Sequence, residues 1–414
     1  FGLYHNTYIN WLNQSNMPFG LANLHDRFGY AGSSYLLGAF FNFYPFSDTG
    51  YIFTTSIFFV FLVFLLIKNI NLREGNFSNI FNILILYVVF KYILVESLGD
   101  VSPDKIFGCL LIFIFYNLIN NYEKSIDNNF LYSLVTLSLL VTFTPSSWFI
   151  VVALIIILYL EKNKKLFSNI KVLSFCTVVC FSFAVLNFFK SGNIFFPIIF
   201  PIFQNDFTIV NSDLMYQIQA FAKGYPSGNE WIVPTFKNTF LLNKFAFVYA
   251  VLFIMFIILT ISKLRYKIFD NKIFVKLFLL LNLCIIFWFF SAPSLRFGKI
   301  YFWIGLVLLL SFYISIIFNK FYFSKLFPFF CIIIFSYCVY SSQNNLAMNR
   351  SLLSKNQAIE TFPVKNILKT ISDTNINIQQ FNYTHEKLSF PNYNERLELL
   401  IYEKSFFSKI YFKK

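Results

Sequence analysis

The chain has 414 residues, 57% of them hydrophobic and only 13% charged, with 61 phenylalanines and a net charge of +14. Apolar runs long enough to cross a bilayer recur from Gly50 to Ser342, which excludes a water-soluble globular domain and implies a polytopic α-helical membrane protein. In that setting the positive excess reads as loops held on the cytoplasmic side against anionic lipid, so no nucleic-acid partner is expected.

The first 49 residues contain no spanning segment. A stretch on the far side of a membrane needs something to carry it there, so at least one further helix is expected upstream of Phe1. Ten spans are predicted, over 50–67, 80–96, 106–120, 130–144, 148–160, 170–189, 245–262, 273–292, 300–318 and 322–342. Pro145, Ser146 and Ser147 join the fourth and fifth as a tight hairpin. The fold class is therefore all-α, a transmembrane helical bundle. It divides into an outer-face loop with short helices (1–49), the bundle itself (50–342, including an outer loop at 190–244) and an outward-facing appendage (343–414). In the appendage, PVKNILKTI reads as a short helix.

Lysine and arginine set the orientation. Alternate short connections hold Lys68 and Arg73, then Lys124, then Lys162, Lys164, Lys165 and Lys171, then Lys263, Arg265, Lys267, Lys272 and Lys276, then Lys320 and Lys325. These are assigned to the cytoplasmic side. The longer connections between them hold only Arg27, Lys105, Lys190, Lys223, Lys237, Lys244, Arg296 and Lys299, and face outward. Lys91 is the one charge set well inside a span.

That alternation gathers the chemically capable segments on one face. The stretch NLHDRFGYAGSSY places His25, Asp26 and Arg27 side by side, with His5 nearby. A His–Asp pair at a membrane surface suits deprotonation of a hydroxyl; the same residues also suit a solvated loop with an Asx turn. Asp104 and Lys105 follow Pro103 at the start of the third span. There Asp104 either complements the helix dipole or serves as a site acid. Arg296, in SAPSLRFG, is suited to a phosphate or carboxylate head, or to snorkelling toward lipid. The segment KSGNIFFPIIFPIF, broken by Pro197 and Pro201, is too short and irregular to span and reads as interfacial or re-entrant.

The six cysteines fall inside apolar runs and read as buried packers. Cys176 and Cys180 share a helix face but have no His or acid beside them, so no metal site is assigned. Walker, HExxH, GxSxG and GxGxxG patterns are missing from the sequence, which leaves ATP-driven transport, zinc proteolysis and nicotinamide chemistry without support.

Four blocks carry a resemblance. GLYHNTYINWLNQSNMPFGLANLHDRFGYAGSSYLLGAFF, SPDK, NFFKSGNIFFPIIFP with GNEWIVP, and FWFFSAPSLRFG occur in this order over roughly residues 1 to 300. They resemble an uncharacterised family of bacterial polytopic membrane proteins whose layout is similar to the GT-C glycosyltransferases. Those enzymes use polyprenyl-phosphate-linked sugars on the outer membrane face.

The resemblance implies transfer of a sugar from such a carrier to a cell-envelope glycan or lipid. Asp26, Asp104 and His5 are the implied catalytic residues. Arg296, Arg27, His25 and Lys105 are the implied binding residues, and Asp104 supports the acceptor or a divalent cation, the one candidate cofactor. Membrane lipid, the carrier and the acceptor are the implied partners. Two departures stand out: an acid that the family places just before its GLYH-like segment would fall upstream of Phe1, and the family's lysine near the fourth and fifth spans is replaced here by TFTPSSW. A glycan-lipid transporter or flippase, or an envelope polysaccharide polymerase, is the alternative.

The topology is testable with reporter tags at Lys164, Asn193, Lys267 and Gln343. The first and third should report cytoplasm and the second and fourth the outside. An inverted pattern would dissolve the shared face.

Overall fold

The computed structural model describes residues 32–42, 53–70, 76–95, 103–121, 170–194, 232–261, 272–291, 294–317, 365–371, 374–380, 399–404 and 407–412, with isolated positions 9, 12, 29, 50, 336 and 340. The helices are α1 (Ser33–Phe41), α2 (Phe53–Lys68), α3 (Phe77–Val89, continued by a π-helical turn Phe90–Val95), α4 (Pro103–Asn121), α5 (Ile170–Ser191), α6 (Ile232–Phe236, continued by a π-helical turn Lys237–Leu242), α7 (Lys244–Ile261), α8 (Lys272–Ser291) and α9 (Leu295–Ile317).

Helices therefore occupy seven of the ten predicted spans. The predicted spans at 130–144 and 148–160 lie outside the described residues, as does 322–342 apart from Ser336 and Tyr340. Among the described residues, four helices are long and apolar enough to cross a membrane: Pro103–Asn120, Ser174–Ser191, Ile273–Phe290 and Phe297–Ile316. A fifth is reached if Ile232–Leu241 and Lys244–Ile258, bent by 86° at their junction, count as one broken span. Helix α2, at 16 residues, reaches about 24 Å at 1.5 Å per residue, short of a hydrocarbon core of about 30 Å.

Helices α4 and α9 are the centre. Buried side chains run almost unbroken along α4 from Ile106 to Ile119 and along α9 from Ile300 to Leu309. The outer helices show one buried and one exposed apolar face. On α2, Phe53, Ile57, Phe61 and Phe64 are exposed while Leu62 and Leu66 are buried; on α7, Val251, Ile254, Met255 and Ile258 are exposed while Tyr249 and Phe256 are buried. Large apolar faces pointing away from the core are costly in water and ordinary in hydrocarbon. With the long apolar helices, they are the marks of a multi-pass membrane protein.

Ring contacts set the helix directions. Phe107 of α4 meets Tyr301 of α9 at 5.9 Å between centroids. Tyr87 of α3 meets Trp303 at 6.3 Å, and Phe245 of α7 meets Trp303 at 4.3 Å. At the other end Phe274 of α8 stacks on Phe312 of α9 at 4.3 Å and receives Phe77 of α3 edge-on. So α4, α7 and α9 start at one end of the bundle, where α3 and α8 finish. We call this the Asp104 end and the opposite one the Asn120 end.

Beyond the bundle, Lys365–Ile371 (β1) pairs antiparallel with Thr374–Gln380 (β2), in register Lys365↔Gln380 to Ile371↔Thr374. Leu399–Lys404 (β3) pairs likewise with Phe407–Phe412 (β4). The short helix expected for PVKNILKTI is thus a strand. Its partner, TNINIQQ, alternates polar and apolar residues from Asn375 to Gln379, and a period of two suits a strand.

Three close approaches hold α9 and α4 in place. A β-carbon at Gly108 would lie 2.7 Å from Cε1 of Tyr92, one at Gly298 would overlap the Trp288 indole, and one at Gly305 would overlap the Tyr249 ring. Gly305→Ala should therefore destabilise the detergent-solubilised protein by about 1–3 kcal/mol through overpacking, seen as a lowered melting temperature. Combined with Tyr249→Leu, which removes the obstructing ring, the loss should be smaller than the sum of the single losses. Simple additivity would show that this contact does not limit the packing of α9 on α7.

Candidate functional site

The Asp104 end begins with Pro103, whose fixed φ and missing N–H suit the first helical position. Asp104 then falls in the first turn of α4, buried at 6% exposure. Its neighbour Lys105 places its ammonium 3.8 Å from the Tyr92 ring centroid and donates to the Tyr92 carbonyl at 3.5 Å. The Tyr92 hydroxyl in turn donates to the Asp104 backbone carbonyl at 3.4 Å. Tyr92 lies on the π-helical turn that ends α3, and turns of this kind re-aim side chains and recur at functional sites.

The start of α9 is stapled to the end of α8. The Ser294 carbonyl accepts the Trp288 indole N–H at 3.0 Å and the backbone N–H groups of Phe297 and Gly298 at 3.0 and 3.1 Å. The indole seats against Gly298, the one residue type with no side chain to displace it. Trp288 is itself buried and meets Phe302 edge-on at 5.6 Å. This staple makes Arg296 the second residue of a helix, rather than part of a loop crossing the interface beyond the eighth span.

Asp104 and Arg296 are thereby brought to one level. A β-carbon at Gly108 would meet Ile300 Cγ1 at 3.4 Å. Asp104 precedes Gly108, and Arg296 precedes Ile300, by one turn on two helices that run in the same direction. The Arg296 side chain lies outside the described residues. His5, His25, Asp26 and Arg27 also lie outside them, so the structure joins Asp104, Lys105 and position 296 and is silent on the first-loop constellation. Near that loop, α1 packs against α2 and α4. The buried hydroxyls of Ser34 on α1 and Thr54 on α2 have no hydrogen-bond partner.

Two features were not read from the sequence. One is the finish of α5. Ser191 Oγ is within hydrogen-bond reach of the Asn187 carbonyl at 2.9 Å and of the Asn193 carbonyl at 3.1 Å, and the chain turns at Gly192 with φ 73°. Lys190 is buried here at 2% exposure, its ammonium 5.7 Å from the Phe183 ring centroid. Helix α5 thus carries Lys190 inside its last turn rather than at the start of an outer loop. The signal was the string NFFKSGN, whose polar residues sit three and four apart.

The other is α6 with its π-helical turn, bent 86° from α7. Phe236 and Phe240 pack on Phe289, and Phe240 on Phe302, across the ends of α8 and α9. Asn243 then caps α7, its Oδ1 accepting the N–H groups of Phe245 and Ala246 at 3.1 Å each. No group of three or more His, Cys, Asp or Glu suited to a metal ion occurs among the described residues, and the four described cysteines carry free thiols.

No curated protein and no solved structure matches the chain. A family profile described as a domain of unknown function, DUF8201, matches residues 1–303. That match covers most of the chain, including every described helix up to Trp303 in α9, and the chain belongs to the DUF8201 family.

Proposed function

We propose that the protein is a GT-C-like inverting transferase that moves a sugar from a polyprenyl-phosphate carrier to a cell-envelope glycan or lipid, on the outward face of a bacterial inner membrane. The ten-span layout and the outward placing of the Asp104 end belong to this reading. Its main support is that Asp104, Lys105 and Arg296 share one end of an apolar bundle, with position 296 held by the Trp288–Ser294 staple. A bilayer-embedded carrier presents its phosphate at such an end, so no nucleotide pocket is needed.

In the proposed step an acceptor hydroxyl attacks the anomeric carbon. The bond from that carbon to the phosphate oxygen breaks, and the electron pair leaves with the phosphate. Asp26 takes the hydroxyl proton, while Asp104 orients the acceptor or a divalent cation. Negative charge grows on the departing phosphate, so a fixed guanidinium stabilises the transition state more than the ground state. Arg296 has that role, with Arg27, His25 and Lys105 around the head group and His5 beside the base.

The bent α6–α7 pair favours a second reading, because interrupted helices mark substrate sites in transporters. In a glycan-lipid flippase the same end would bind the lipid head without covalent chemistry.

The test is transfer by purified protein from a synthetic polyprenyl-phosphate sugar. Arg296→Ala should lose nearly all activity, on the order of 2 to 4 kcal/mol or about thirty- to thousand-fold in rate. Arg296→Lys should lose much of it, since a point ammonium cannot reproduce a two-pronged contact. Equal rates with Arg and Lys would remove the phosphate role. Movement of the lipid across proteoliposomes without transfer would select the flippase.

A further inference from the structure

Tyr92 is 1% exposed and offers a ligand almost no surface. Its effects on the Asp104 end therefore pass through its neighbours. The Lys105 ammonium lies over its ring and donates to its carbonyl, while its hydroxyl donates to the Asp104 carbonyl. The Gly108 backbone lies against Cε1, where a β-carbon would come within 2.7 Å. Residues 104, 105 and 108 belong to the first turns of α4, and one buried ring serves all of them.

Each grip has a physical cause. Tyr92 lies in the π-helical turn Phe90–Val95 that ends α3, so its carbonyl belongs to the last turn, where carbonyls lack an intrahelical partner and a lysine from outside serves as a cap. A cation also suits the negative end of a helix dipole, and an aromatic face adds a second attraction to the same ammonium. A lysine stem is long and flexible and loses much rotamer freedom when it is fixed. Tyr92 supplies both contacts from one residue, which holds the half-buried Lys105 charge in one place. Gly108 sets the depth of the ring, since bare backbone lets it approach α4 and a side chain would push it away. The π-helical turn sets its direction, because the wider spacing departs from the regular period of Phe77–Val89.

We propose that Tyr92 is a positioning residue, which fixes the Lys105 ammonium and the backbone at Asp104 so that both charged side chains keep one geometry toward a bound head group. Tyr92 itself touches no reacting atom. The identity of the head group rests on the transferase reading above; the grip of Tyr92 on Lys105 does not.

Two readouts on the purified protein test this. The first is the magnetic resonance spectrum of lysine methyl groups introduced by reductive methylation with isotope-labelled formaldehyde. A methyl group on an ammonium over a ring is shifted upfield by the ring current, and loss of that signal in Lys105→Arg assigns it. It should persist in Tyr92→Phe, which keeps the ring. It should vanish in Tyr92→Leu or Tyr92→Met, of which the one with a melting curve like that of wild type is used. The second readout is transfer from the synthetic polyprenyl-phosphate sugar by unmethylated protein. Removing the ring should lower the rate about a hundredfold, as expected for a misplaced charge. Tyr92→Phe should stay within about tenfold of wild type, having lost one neutral hydrogen bond. Lys105→Gln should cost about as much as removing the ring, and the double variant little more than either single one.

A wild-type spectrum without a ring-shifted Lys105 signal would overturn the proposal, as would a signal that survives removal of the ring. So would rate losses that multiply in the double variant, since that marks two residues acting separately. A shifted signal that follows the ring, in a protein that transfers no sugar, would leave the grip standing and remove the transferase. Transfer that depends on Arg296 but is normal without the Tyr92 ring would do the reverse.

Discussion

The architecture depends on aromatic rings seated directly on glycines. Tyr92 on Gly108, Trp288 on Gly298 and Tyr249 on Gly305 join α3 to α4, α8 to α9 and α7 to α9. Inside a membrane the lipid tails are as apolar as the side chains, so burying apolar surface gives no net drive to bring helices together. Close van der Waals fit must supply it. A ring laid on a bare backbone provides that fit, and any β-carbon would prevent it. Trp288 adds direction, because its N–H reaches the Ser294 carbonyl just before α9 starts. The heights of Arg296, Lys299 and Trp303 relative to their neighbours follow from these three contacts.

The two ends of the bundle use polar groups differently. At the Asn120 end several amide and hydroxyl side chains bind one another. Asn82 and Asn120 exchange amide hydrogen bonds at 2.8 and 2.9 Å, and Ser78 donates to Asn120 Oδ1 at 2.6 Å. Asn69 donates to the Tyr116 hydroxyl, and so ties α2 to α4. Such a clasp holds helices without bringing a charge into hydrocarbon. At the Asp104 end a buried carboxyl, half-buried lysines and an unpartnered indole N–H come together. Structural holding alone could be done with amides, as the other end shows. Titratable side chains are costlier to keep near hydrocarbon than amides.

The helices were legible because runs such as Lys244–Ile261 and Lys272–Ser291 are apolar all round and bounded by lysine. Their starts were less so. Proline at position 103 moved the start of α4 back to the Pro-Asp-Lys turn, and the Trp288 staple moved that of α9 to Leu295. Each shift depends on a partner remote in space or on one turn's geometry, which an apolar run does not record. Asp104 and Arg296 were legible as isolated ions. Their common level was not, since it depends on Gly108 meeting Ile300 across two helices. The PVKNILKTI segment was misread because a short mixed segment has no clear period of its own, and its pairing with Thr374–Gln380 decides its state.

Rigidity bears on the choice between the two functions proposed. A flippase must move one group of helices against another, around a site reached from both sides. Helix α9 is held to α8 by an indole hydrogen bond and a ring, to α7 by Tyr249 and Phe245, and to α4 by Phe107 and Gly108. Sliding α9 by one turn would break all of these together, because each ring would leave a glycine and meet a side chain. The bent α6 crosses the ends of α8 and α9 at the same place, and its Phe240 packs on both Phe289 and Phe302. A site whose walls are fixed in this way suits stabilisation of a charge that develops in place, which is what phosphate departure requires.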